Sequence, residues 1–191
     1  MAIRAYQLLS EQKMLKGEDL DYRICHLDVM FSTQLIWRIE NYRSLFNEAK
    51  MGKRLTVFSP PFYSFKNGYR MAASIALYGD GSGKAKHNSI FVTILRGEHD
   101  SLLHWPFACQ VTFTMIDQKP STEQRENVVV SLKPNITKEN RPFLGRPSGE
   151  RNPSFGIQKF VSLEDMKTKD FVKDDTCFVR VDLNIEDVPK I

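Results

Sequence analysis

The residues with the most chemical promise cluster in one glycine-rich stretch, Gly79-Asp80-Gly81-Ser82-Gly83-Lys84. A phosphate loop would use such glycines to bring backbone N–H groups onto an anion, with a lysine beside them. That reading fails on spacing. The loop needs four residues between its glycines, then Gly-Lys-Ser/Thr and a helix. Here Lys84 precedes Ala85, and a strand-like run follows. Asp80, His87 and Ser89 contain the residue types of a nucleophilic triad on one hairpin, but the sequence offers no buried orienting carboxylate or oxyanion donor, and a turn histidine is the plainer reading. Cys25 and His26 are neighbours on a predicted helix, where adjacent side chains do not face each other. Asp174-Asp175 suits a turn better than a cation. No spacing of cysteine and histidine gives four zinc ligands. Asn135-Ile136-Thr137 is a glycosylation sequon by pattern only. The expectation is therefore no enzyme, no cofactor and no metal.

Composition narrows the class further. The chain has 191 residues, 41% of them hydrophobic and 26% charged, which is ordinary globular usage. With 27 basic and 23 acidic residues the net charge is +4. That excess is too small, and its basic residues too scattered, to predict nucleic-acid binding. The three cysteines, Cys25, Cys109 and Cys177, are odd in number and far apart. They fit a reducing compartment and argue against a disulfide framework. Met1-Ala2-Ile3-Arg4 does not open a signal peptide, and no apolar run is long enough to span a bilayer. A soluble, cytoplasmic protein is expected.

The elements that must position these residues are mostly strands. Met71, Ala73, Ile75 and Leu77 alternate with Ala72, Ser74, Ala76 and Tyr78, and Ser89–Leu95 is rich in β-branched and aromatic residues. Period-two runs on either side of a glycine cluster predict a β-hairpin. Further strands are predicted at 34–40, 54–58, 110–116, 128–132, 155–161 and 177–183. Ser59-Pro60-Pro61 should end the second of these, because proline cannot donate to a ladder. Short helices are expected at 42–50 and after Ser162-Leu163-Glu164-Asp165, which has capping-box spacing. Residues 133–153 read as a long loop. Many short strands with little helix imply an all-β, antiparallel sandwich.

Residues 1–31 differ. They lack proline and are rich in helix formers. Leu20 and Leu27 at heptad d and Ile24 at a give a broken coiled-coil seam, which also puts Ser10, Lys13 and Gly17 at core positions. A single amphipathic helix or a frayed tail satisfies the same residues, since short helices of this quality need partner strands.

Several segments recur in order in one known family: Leu35-Ile36-Trp37-Arg38-Ile39, Phe58-Ser59-Pro60-Pro61-Phe62-Tyr63, Gly68-Tyr69-Arg70-Met71, Gly79-Asp80-Gly81-Ser82-Gly83, Leu103-His104-Trp105-Pro106-Phe107, Met115-Ile116-Asp117-Gln118 and Phe171-Val172-Lys173-Asp174-Asp175. Over roughly residues 33–185 the chain resembles the C-terminal TRAF (MATH-type) domain of the tumour-necrosis-factor-receptor-associated factors. Asn152-Pro153-Ser154-Phe155-Gly156 and Ser74 lean toward the branch of the fourth and sixth mammalian members. The resemblance implies an eight-stranded antiparallel sandwich over 32–191, preceded by a coiled-coil stalk over 1–31 that makes a homotrimer. It also implies a signalling adaptor that joins cytoplasmic receptor tails or adaptor peptides to ubiquitin-dependent signalling. Each weak site gains from avidity in the trimer.

Carried over residue by residue, the resemblance places an extended peptide beside an edge strand. Asp80 and Gly81 match turn contacts, Phe91 an aromatic of the groove, and Leu132 and Lys133 a Phe-Arg pair; Lys133 lacks the arginine fork. Phe155, Gly156 and Ile157 fall at the edge, with Ile157 where the sixth member has tyrosine. Ser74 replaces that member's arginine, so a cationic contact is missing there. Lys138-Glu139-Asn140 replace three serines. Each assignment has a plainer alternative: Phe91 as core, Phe155 as an edge plug, Asp80 as a turn former. Trp37 and Trp105 are expected to be structural. Two other uses of such a fold are an assembly domain docking a folded partner and weak binding to an anionic membrane surface, which would be peripheral.

Overall fold

The computed structural model describes residues 34–184. The predicted stalk residues Leu20, Ile24 and Leu27 lie outside them. Two antiparallel sheets face each other. The first contains four strands in the order β1 (Gln34–Ile39), β9 (Cys177–Leu183), β6 (Val111–Met115), β7 (Val128–Leu132). The second runs β2 (Val57–Phe58), β4 (Arg70–Ala76), β5 (Ser89–Ile94), β8 (Phe155–Ile157), with β3 (Phe62–Tyr63) also on β4. The prolines 60 and 61 explain this pair of stubs. They split one edge strand into β2 and β3, and counted as one these bring the nine described strands to the expected eight.

Alternation builds the core between the sheets. Met71, Ala73 and Ile75 of β4, Ile90, Val92 and Ile94 of β5, Val111, Phe113 and Met115 of β6, and Val179 and Val181 of β9 are all buried. Trp37 joins them from β1. Helix α1 (Tyr42–Lys50) follows β1 and buries Ala49. Helices α2 (Arg141–Leu144) and α3 (Asp165–Thr168) are single turns. At α3 the Ser162 hydroxyl accepts the Asp165 N–H at 2.9 Å and donates to the Asp165 carboxylate at 2.8 Å. Trp105 is half-buried, with its indole N–H donating to the Asp100 carbonyl at 2.8 Å and its ring edge-on to Tyr69.

Two expectations change. The strand expected over 54–58 forms only at Val57–Phe58, and the one over 155–161 only at Phe155–Ile157. The predicted hairpin forms, β4 pairing antiparallel with β5; residues 77–88 connect the two strands and include a 3-10 turn at Gly81–Gly83. Both faces of β4 are covered: Ala72, Ser74 and Ala76 are buried along with the core-facing residues.

Candidate functional site

Register arranges the second sheet's outer face into rows. Residues directly opposite in antiparallel strands share a face. Phe58 pairs with Ser74, Ser74 with Phe91, and Phe91 with Gly156. One row therefore crosses four strands: an exposed phenyl, a small buried hydroxyl, a half-buried phenyl and a glycine. Phe58 keeps 42% of its surface exposed, whereas Ser74 keeps none. The Ser74 hydroxyl has no hydrogen-bond partner. Gly156 is required by its neighbours: a Cβ there would stand 2.1 Å from the Ile90 carbonyl oxygen and 2.8 Å from the Phe91 ring.

The turn beyond this row is tied to β8. Asp80 donates its N–H to the Ser89 hydroxyl at 2.8 Å, and that hydroxyl donates to the Gln158 carbonyl at 2.7 Å. The Gln158 side-chain oxygen accepts the N–H and hydroxyl of Ser82, at 3.1 and 2.8 Å. Gly81 sits at φ +51°, in the region where a Cβ is strained, and Gln158 occupies the space such a Cβ would need. The Asp80 side chain is exposed. Ser89 is thus engaged in holding the turn, and no Ser89–His87 hydrogen bond is present to activate a nucleophile.

The remaining predicted residues do not gather at Phe91. Phe155 and Ile157 pair with Val92 and Ile90, so they face inward. The Phe155 ring packs on Phe143 with centroids 6.0 Å apart, in the manner of an edge plug. Leu132 belongs to the other sheet, pairs with Val111 and packs against the core, while Lys133 is exposed beyond it. Lys138, Glu139 and Asn140 form the turn into α2, where the Asn140 amide donates to the Asn135 carbonyl. Ser74, Phe91 and Gly156 share one row, with Asp80 and Gly81 in the turn beyond it.

Two residues of this face escaped the sequence reading. Phe58 carried a signal, an aromatic at the strand end before a double proline. Arg151 carried none. It bridges to Leu95, which places it on the outer face, and its guanidinium carbon lies 5.0 Å from the centroid of the Phe58 ring. Among the described residues no group of three histidine, cysteine or acidic side chains could hold a metal ion.

A family model described as the TRAF/meprin MATH domain matches residues 54–180. The chain belongs to this family. The MATH domain here is 40% identical over 161 residues to mouse TNF receptor-associated factor 5, covering 83% of this chain and 28% of that protein. It superposes on a solved structure, Notothenia coriiceps TRAF5, with a TM-score of 0.75 and 28% identity, covering 100% of this chain and 97% of that one. It spans little more than a quarter of the mouse relative's length. The expected lean toward the fourth and sixth members is not supported. Identity to Xenopus laevis TNF receptor-associated factor 6-A is 33% over 153 residues, covering 78% of this chain and 27% of that one, below the value for the mouse fifth member. The residues behind that lean are few and local. Of these, Gly156 is dictated by the Phe91 backbone and ring, and Asn152 by the loop carbonyls of Phe143 and Gly145 that its amide reaches.

Proposed function

We propose that this MATH domain is the docking module of a signalling adaptor and binds short extended peptides of receptor tails or other adaptors. The observation that carries this reading is the row Phe58–Ser74–Phe91–Gly156, which leaves aromatic surface on a sheet face beside a three-residue edge strand. Exposed aromatic side chains supply contact area at small entropic cost, and a free strand edge supplies main-chain hydrogen bonds. The relatives support it by name, as TNF receptor-associated factors. Residues 1–31 form the trimer stalk and 32–191 the docking domain, which works in the cytoplasm without catalysis. Three weak sites on one stalk give avidity for clustered tails.

The experiment is a peptide array probed with the full chain and with Phe91→Ala, alongside light scattering of the full chain and of a version starting at Ser32. Peptide binding lost in Phe91→Ala at unchanged melting temperature, with a threefold mass that falls to one on removing 1–31, is the expected result. If no peptide binds, the reading is wrong. A second reading, docking of a folded partner, draws on the other sheet. There Ile36, Arg180, Thr114 and Val129 form a row, with Ile36 61% and Val129 56% exposed. Ile36→Lys would abolish partner capture on that reading and leave peptide binding untouched.

A further inference from the structure

We infer that the knuckle over residues 50–55 docks on an anionic membrane surface, with Met51 and Leu55 entering the headgroup layer and Lys50 and Lys53 meeting its acidic headgroups. All six residues, Lys50-Met51-Gly52-Lys53-Arg54-Leu55, are exposed. Met51 and Leu55 keep 61% and 62% of their surface in solvent. Three cations stand beside and between them. Arg54 is engaged by the Glu48 carboxylate at 3.3 Å, but the Lys50 and Lys53 ammonium groups have neither an ion pair nor a hydrogen bond among the described residues. From 42 to 55 four cations stand against that one carboxylate, in a chain whose whole excess is +4. Apolar side chains ringed by unpaired cations suit the boundary between anionic headgroups and acyl chains, where burial and Coulomb attraction act together.

The fold fixes this knuckle and holds it out. At the end of α1 the Gly52 N–H donates to the Ala49 carbonyl at 3.1 Å and the Lys53 N–H to the Glu48 carbonyl at 2.8 Å, the two bonds of a Schellman cap, with Gly52 at φ +74°. The space around Gly52 is open, since a Cβ there would meet nothing within 4 Å. Such a cap usually seals itself with an apolar contact between the residues that are Lys53 and Glu48 here. Both are charged, so the apolar residues of the knuckle stay outside. A folded partner would need a matching pocket for each of them. A headgroup layer deforms around both and brings negative charge to every side. One knuckle makes a weak, reversible contact, and three on the stalk proposed above act together.

The test is co-sedimentation of the full chain with vesicles of phosphatidylcholine alone and of equal parts phosphatidylcholine and phosphatidylserine. Binding should need phosphatidylserine and weaken as salt is raised. Lys50→Gln and Lys53→Gln should each reduce it roughly fivefold at unchanged melting temperature. Met51→Ser with Leu55→Ser should also reduce it, through lost burial instead of lost charge. Insertion is read separately: in Met51→Trp the added indole should be quenched by brominated lipid beyond the level of wild type, and in Thr122→Trp, on another exposed turn, it should not. Failure to bind phosphatidylserine vesicles overturns the inference, as does binding that survives the double Lys50→Gln/Lys53→Gln variant. An unquenched Met51→Trp overturns it as well, because contact would then be electrostatic only. Capture of an acidic amphipathic peptide through Lys50 and Lys53, without vesicle binding, would reassign the knuckle to a protein partner and equally overturn it. Peptide docking at Phe91 is untouched by these variants, so the reading above stands or falls on its own array.

Discussion

At the scale of the residue, two members of one row, on either side of Phe91, should answer mutation in opposite directions. Gly156→Ala forces a methyl against the Ile90 carbonyl and the Phe91 ring, both fixed in the sheet. We expect a loss of about 1–3 kcal/mol in chemical denaturation, as for other overpacked sites. Ser74→Ala removes a buried hydroxyl that has no partner. It should be neutral or stabilise by up to about 1 kcal/mol, because desolvation is relieved and no hydrogen bond is lost. Asp117 illustrates a buried charge that is well served. Burial pushes its pKa up, but the N–H groups of Glu126 and Lys119, bonded at 2.8 and 3.0 Å, and the Lys119 ammonium outweigh burial and hold it below the ordinary value. A carboxyl depressed in the folded state adds stability that is complete above its unfolded pKa of about 4 and disappears as pH falls through the folded value. Asp117→Asn should therefore lose about 1–3 kcal/mol near pH 7. Denaturation curves of wild type and variant should converge in acid, and a gap independent of pH would refute this account.

At the scale of the element, the turn and β8 act as one unit. Gln158 closes over Gly81, and its backbone and side chain hold both sides of the turn. Gln158→Ala should cost about 1 kcal/mol and raise hydrogen exchange at the Ser82 amide, with the β4 and β5 amides unaffected. Equal loosening of β4 would mean the turn is held by something else. The strands themselves were largely legible, because period-two alternation is dictated by the core they cover. Cys177–Leu183 alternates buried and half-buried residues as its sequence suggests. Legibility failed where a neighbour decides. The inward direction of Phe155 follows from its pairing with Val92, which no local pattern encodes. Nor does any pattern place Arg151 over Phe58, since the two are joined only by the sheet between them. Phe91, Ser74 and Gly156 were read as site residues singly. Their shared row appears only with register, and the same register separates them from Leu132 and Lys133.

At the scale of the whole molecule, the edges of the sheets are its exposed commitments. β7 presents Val-Val-Val-Ser-Leu with Val129 exposed, and no proline or charge interrupts it. Natural sheets usually blunt such an edge. Val129→Lys should leave the free energy of unfolding within about 0.5 kcal/mol of wild type and raise the concentration at which the protein aggregates on heating. Unchanged aggregation would show that the edge is already protected.

The pairing of β1 with β9 has a mechanical side. Gln34 lies opposite Asp182, and Ile39 opposite Cys177, so the two ends of the described chain leave from the same pole as neighbouring strands. Tension applied between them loads the ladder one rung at a time, like opening a zipper, instead of shearing all rungs together. An optical tweezer holding the two ends should therefore peel β1 away at low force. Moving one attachment to Ser82, at the opposite pole, should raise the rupture force sharply. A domain held at its first strand and tugged through its far turn would resist, whereas the same pull delivered to its own C-terminal strand would open it.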